Sequence, residues 1–169
     1  MPLSSKLVAQ VVATHTAQQD LAIGSVPLNK TLSVALSNGT GAGNADRIFH
    51  DQRTLAASAN EDLDLAGVLL DSFGAAITFA RIKGLYIAAA AANVNNVVVG
   101  AAASNAWATL LGATHTLTLR PGAGILLAAG QADATGYAVT AGTGDLLRVA
   151  NSGAGSSVTY DIIVIGASA

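Results

Sequence analysis

The sequence predicts an all-β protein, a jelly-roll-like antiparallel β-sandwich with an extended N-terminal arm. Three observations point there. Short apolar segments recur along the whole chain, separated by Gly, Asn, Ser and Asp, which is the punctuation of strands and turns. Several segments alternate with period two, most cleanly His115-Thr116-Leu117-Thr118-Leu119-Arg120, which puts leucines on one face and Thr and Arg on the other. Helix is scarce: residues 63–73 have room for one or two turns, but Gly67 and Gly74 deny anything longer.

In chain order, strands are expected at residues 7–13, 31–37, 47–56, 82–91, 96–101, 115–120, 124–129, 146–151 and 157–166. The alternation is looser in Ile48-Phe49-His50-Asp51-Gln52-Arg53-Thr54-Leu55. The alanine run 88–92 has high helix propensity. It follows Leu85-Tyr86-Ile87 and precedes Asn93, and reads as strand, with small side chains that let sheets or subunits approach closely. Turns are marked at Arg120-Pro121-Gly122-Ala123-Gly124 and Gly142-Thr143-Gly144-Asp145. A third, Asn151-Ser152-Gly153-Ala154-Gly155-Ser156, is expected to join the last two strands into a hairpin. The prolines fall near predicted strand ends or loops and break no central strand. Residues 1–20 read as an arm that orders on contact with a neighbour, and residues 21–169 as a single sandwich domain.

Composition narrows the function. Charged residues make up 11% of the 169, well under the usual share of about 25%. Yet 51% are apolar, mostly Ala, Val, Leu and Ile. A monomer with so little surface charge has poor colloidal stability, so part of the surface is expected to be covered by partners. Net charge is −2 with no basic run, so the footprint of a nucleic-acid binder is missing. There is no cysteine, hence neither a disulfide framework nor a thiolate zinc site. The apolar stretch after Lys6 is short and broken by Gln10, a poor leader core. The longest uncharged apolar run, residues 85–92, falls far below the ~20 residues that span a bilayer.

Chemistry-bearing residues are few and scattered along the chain. His15, His50 and His115 have no ligand partner at helical metal spacing, and adjacent His50 and Asp51 point to opposite faces of a strand. They read as solvent-facing histidines. Glu61, Asp62 and Asp64 form the only acidic cluster; they could supply calcium oxygens or a glycosidase pair, but no calcium-loop pattern accompanies them and they read as a solvated turn. Gly39-Thr40-Gly41-Ala42-Gly43-Asn44 lacks the Lys-Ser/Thr and following helix of a phosphate cradle, as does Gly153-Ala154-Gly155-Ser156-Ser157. No nucleophile elbow occurs. The expectation is no enzyme, no metal and no cofactor. Trp107, the single tryptophan, sits between predicted strands and stands equally as a cap on the core, an interface anchor or a sugar platform. The expected assembly residues are Val8, Val11 and Val12 of the arm, together with Trp107.

From Arg47 onward the chain resembles a family of small virion proteins of tailed bacteriophages. The resemblance is carried by residues 48–58 (Ile-Phe-His-Asp-Gln-Arg-Thr-Leu-Ala-Ala-Ser), 61–67 (Glu-Asp-Leu-Asp-Leu-Ala-Gly) and 95–100 (Asn-Asn-Val-Val-Val-Gly). Residues 119–122 (Leu-Arg-Pro-Gly), 136–145 (Gly-Tyr-Ala-Val-Thr-Ala-Gly-Thr-Gly-Asp) and 158–166 (Val-Thr-Tyr-Asp-Ile-Ile-Val-Ile-Gly) complete it. It implies a head decoration, or cement, protein on the capsid surface, made in the host cytoplasm. Its partner would be the major capsid protein, with self-association as a homo-oligomer, most readily a trimer, and no direct contact with nucleic acid or membrane. The alternatives are a tail or fibre component and a glycan-binding module. No catalytic residues come with the resemblance.

Overall fold

A computed structural model of the chain describes residues 2–169. The strands are β1 (Ser5–Gln18), β2 (Ile23–Asn38), β3 (Asn44–Ala45), β4 (Arg47–Leu55), β5 (Asn60–Asp64) and β6 (Arg81–Ala89). They continue with β7 (Val97–Gly100), β8 (Thr116–Leu119), β9 (Gly124–Ala128), β10 (Tyr137–Ala138), β11 (Leu146–Asn151) and β12 (Val158–Ala167). A single helical turn, α1 (Ala108–Leu111), separates β7 from β8.

The body is a β-sandwich. One sheet runs β10-β6-β12-β4, with β9 also paired to β6, and the other runs β5-β11-β7-β8. Alternation on both sheets sends one set of side chains into a shared core. Leu63, Val97, Val99 and Val149 enter it from the four-stranded sheet, and Leu85, Ile87, Tyr160 and Ile162 from the five-stranded one. The long strands pair in a nested order, β4 with β12, β5 with β11, β6 with β9 and β7 with β8, every pair antiparallel. Successive members of that nest alternate between the two sheets. At the β8–β9 turn, Gly122 takes φ +77°, a conformation that suits glycine after Pro121.

The structure corrects several expectations. Residues 151–156 do not close a hairpin: β11 and β12 lie in different sheets, and this loop crosses between them. Asn95 and Asn151 hold the crossing, the Asn151 side-chain amide donating to the carbonyls of Ala56 and Ser156 at 3.0 and 2.8 Å. Residues 60–64 are strand rather than turn, because Leu63 pairs opposite Leu147 and buries in the core. Residues 65–73 form turns with no helix.

The N-terminus is the largest departure. It is not a lone arm ending near residue 20. Ser5–Gln18 pairs with Ile23–Asn38 in an unbroken antiparallel register, and residue 20 lies in the tip of that hairpin. Pro27 stands inside β2, opposite Thr14, and not at a strand end. A two-stranded ribbon tolerates it because each strand is an edge, and the missing N–H points away from the partner strand.

The hairpin meets the body only at its root. Leu7, Val34 and Leu36 form a second, smaller cluster with Ala45 and Ile165, supported by Ile48, Leu126 and Ile163 on the outer face of the five-stranded sheet. Gly84 makes the space: a Cβ there would lie 2.9 Å from both Leu7 methyl groups.

Ile162 and Ile163 test this layering, being neighbours on β12 that face opposite ways. Ile162→Ala is expected to cost about 2–5 kcal/mol in denaturant unfolding, the usual range for a fully buried isoleucine, and Ile163→Ala roughly half of that or less. Equal losses would contradict the assignment of inner and outer faces.

Candidate functional site

The residue pattern of the hairpin gives it two unlike faces. Directly opposed residues share a face, and their numbers sum consistently along the ladder. The odd-numbered positions of β1 and even-numbered positions of β2 make one face: Leu7 with Val34, Ala9 with Leu32, Val11 with Lys30, Ala13 with Leu28, His15 with Val26. The other face carries Gln10 with Thr31, Val12 with Asn29, Thr14 with Pro27 and Thr16 with Ser25. The first is apolar and continues outward from the buried root; the second is mainly polar.

The three expected assembly valines are all exposed, Val8 by 49%, Val11 by 60% and Val12 by 67%. They do not form one patch. Val11 belongs to the apolar face and Val8 and Val12 to the opposite one, as period two requires. The strand expected at residues 31–37 includes Leu32, but Val26 and Leu28 lie outside every strand expected from the sequence. The signal was present: Val26, Leu28, Leu32, Val34 and Leu36 fall on one parity.

Trp107 is a core residue, 5% exposed. Its indole Nε1 donates to the Ala138 carbonyl at 2.9 Å, and its ring meets Tyr137 edge-on with centroids 6.4 Å apart. It is therefore neither an exposed interface anchor nor a shelf for a sugar ring.

The acidic cluster is tied down by arginines. Glu61 accepts from Arg53 Nε at 2.8 Å and from the Tyr160 hydroxyl at 2.7 Å, while Arg53 also reaches Asp51. Because Glu61 lies on β5 while Arg53 and Tyr160 lie on β4 and β12, this network links the two sheets. Asp62 takes a bidentate pair from Arg148, both bonds 2.8 Å. Asp64 accepts the Ala66 N–H and so shapes the turn after β5. Among the described residues no three His, Asp or Glu side chains gather at metal-ligand spacing. His15 lies on the hairpin, and His50 Nε2 is hydrogen-bonded to Ser72 Oγ at 2.8 Å. The loop 39–44 spends backbone groups on itself: the N–H of Asn44 donates to Gly41, and Gly39 donates to Ala45. Lys83 runs buried beneath Gly136 and donates to the Asp133 carbonyl at 2.6 Å, and burial pushes its ammonium below the ordinary lysine range.

Comparison with known proteins finds no matching family model, no matching curated protein and no matching solved structure.

The Tyr160 hydroxyl is held well above the ordinary tyrosine range, first by burial and then by its hydrogen bond to the Glu61 carboxylate. The folded protein thus keeps this proton more tightly than the unfolded chain does. The resulting stability is fully present below the ordinary tyrosine value of about 10 and is lost as pH rises above it. Tyr160→Phe is expected to cost about 1–2 kcal/mol at pH 7, since one Glu61 oxygen loses its partner. The variant should also lose stability less steeply above pH 10 than the parent, as read by urea unfolding at both pH values.

Proposed function

We propose that this protein is a structural virion component of a tailed bacteriophage that decorates and stabilises the capsid. The observation that carries the reading is the projecting hairpin with one bare apolar face, set on a closed, low-charge sandwich. It stands beside the sequence resemblance that runs from Arg47 onward. The nested strand pairing supports the finer architecture, a jelly-roll wrapping. On this reading the major capsid protein is the partner, the protein acts as a homo-oligomer on the particle surface, and it performs no catalytic step.

The mechanism needs only binding linkage. A protein that binds the assembled shell and not its dissociated subunits stabilises the shell by mass action. Many copies, each with a modest contact, add up. A sandwich with a well-packed shared core suits a surface exposed to proteases and to other particles. The glycan-binding alternative loses its best residue, since Trp107 is buried. The tail alternative differs only in location.

Particles assembled without the protein are expected to release DNA at lower temperature and under milder osmotic shock than complete ones. Antibody labelling should find the protein on the head, and labelling confined to the tail would move it there. Replacing residues 8–33 by a short Gly/Ser turn keeps the Leu7–Val34 root. That variant should fold, by circular dichroism, yet occupy fewer capsid positions than the parent.

A further inference from the structure

The apolar face of the hairpin begins buried and ends bare. Leu7 and Val34 are closed against the sheet, while Val11, Leu28 and Val26 beyond them are open, and Leu21 at the tip is 100% exposed. At ~3.4 Å per residue the free stretch from Val8 to Gln18 reaches roughly 35 Å. That is comparable to the width of the domain itself, whose radius of gyration is roughly 14 Å for its size. A two-stranded ribbon alone is marginal in water and needs a further layer on its apolar face.

We propose that this face is a homotypic interface: the hairpins of two copies of this chain pack face to face, antiparallel, about a two-fold axis. Charge selects the occupant. From Ala9 to Ala17 and from Gly24 to Leu32 the face carries one formal charge, Lys30, so it gives a charged partner surface nothing to read. Its complement is another uncharged apolar strip, and every copy brings one. A lipid surface is a poor complement, because both ribbon edges would carry unpaired backbone groups into hydrocarbon. Strand addition along the outer edge of β2 is interrupted at Pro27, which has no N–H to give, so of the two ribbon edges only that of β1 competes with the apolar face.

The same lysine selects the symmetry. Three parallel hairpins around a three-fold axis would bring three Lys30 side chains together. Antiparallel pairing sends each Lys30 toward the partner's tip, where Asp20 is the only acid of the hairpin. It also brings the tip to the partner's root. An open groove of about 460 Å³ lies there, lined by Leu7, Ala9, Tyr86, Leu126 and Ile163 among others. Leu21 is the apolar side chain the tip offers to it. Area makes that second contact necessary. A strip two strands wide and roughly 35 Å long presents about 350–450 Å², near half of the ~800 Å² per partner in a standard interface. The pairing does not rest on the capsid reading, and each can fail without the other.

The test is the mass of the free protein at micromolar concentration, by sedimentation or light scattering. The parent is expected at two chains. Val11→Glu with Leu28→Glu should give one chain with an unchanged circular dichroism spectrum, whereas Thr14→Glu with Thr31→Glu, on the polar face, should stay at two. Lys30→Asp should raise the dissociation constant at least about tenfold, and adding Asp20→Lys should restore it. The chain has no cysteine, so single-cysteine variants report the contact directly. With a mild oxidant, Ala13→Cys should cross-link into dimers and Thr14→Cys should not. A one-chain or three-chain parent overturns the proposal. So does a dimer that survives Val11→Glu with Leu28→Glu, or cross-linking that favours Thr14→Cys.

Discussion

Burial of β12 on both faces is the constraint on which the rest of the molecule depends. Val158, Tyr160, Ile162 and Val164 point into the space between the sheets, and Ile163 and Ile165 point out toward the hairpin root. A strand covered on both sides reads as a continuous apolar run rather than an alternating one. Val158-Thr159-Tyr160-Asp161-Ile162-Ile163-Val164-Ile165 shows the change within a single strand: it alternates where the outer face is wet and becomes solidly apolar where the hairpin sits. β4 and β6 flank β12 along its length, so both cores are aligned through one strand.

The low charge of the chain acquires a structural meaning in this arrangement. Arg47, Arg53 and Arg148 are each engaged with carboxylates, and two of these pairs connect strands. Exposed ion pairs add little stability singly. The Arg53–Glu61–Tyr160 set differs because the tyrosine is fully buried, so breaking it strands a polar group at the edge of the core. With few charges in the chain and these three arginines paired, the surface draws much of its hydration from Ser, Thr, Asn and Gln. The exposed apolar side chains concentrate on the hairpin, with smaller groups at Val68, Leu70, Phe73 and Val94.

The sandwich strands were legible because each carries its own local signal: period two, a glycine or asparagine at the end, and β-branched residues between. What local signals cannot carry is pairing. The turn at 151–156 has hairpin chemistry, yet it joins two sheets, and nothing in residues 151–156 distinguishes those outcomes. Glu61, Asp62 and Asp64 looked like a solvated turn because carboxylates are poor strand formers. Their arginine partners, Arg53 and Arg148, are distant in sequence or on another strand, and only the fold brings them near. Trp107 had no legible environment either, since Tyr137 and the Ala138 carbonyl lie about 30 residues away in the chain. The hairpin was a different kind of miss. Its period was on the page, but the strand expected there begins at residue 31 and leaves Pro27 outside it, whereas a free ribbon holds a proline inside a strand where the missing N–H points outward.

The outer sheet is shaped to hold the hairpin in one orientation. Gly84 lies on β6 under the Leu7 methyls, and the absence of a side chain there forms the seat that Leu7 fills. Leu36 and Ala45 close the same cluster from the other side, where β3 pairs in parallel with the end of β2. The Leu3 N–H donates to Asn38 Oδ1 at 2.9 Å and ties the segment before β1 to the far end of β2. The ribbon thus leaves the body from a fixed socket instead of a flexible linker. A contact surface presented this way gives up less orientational freedom on binding than a disordered arm would. That is the physical gain of a hairpin over the lone arm expected from the sequence: the second strand, β2, supplies the pairing that fixes the register of β1 and keeps Leu7, Ala9, Val11 and Ala13 on one face and Val8 and Val12 on the other.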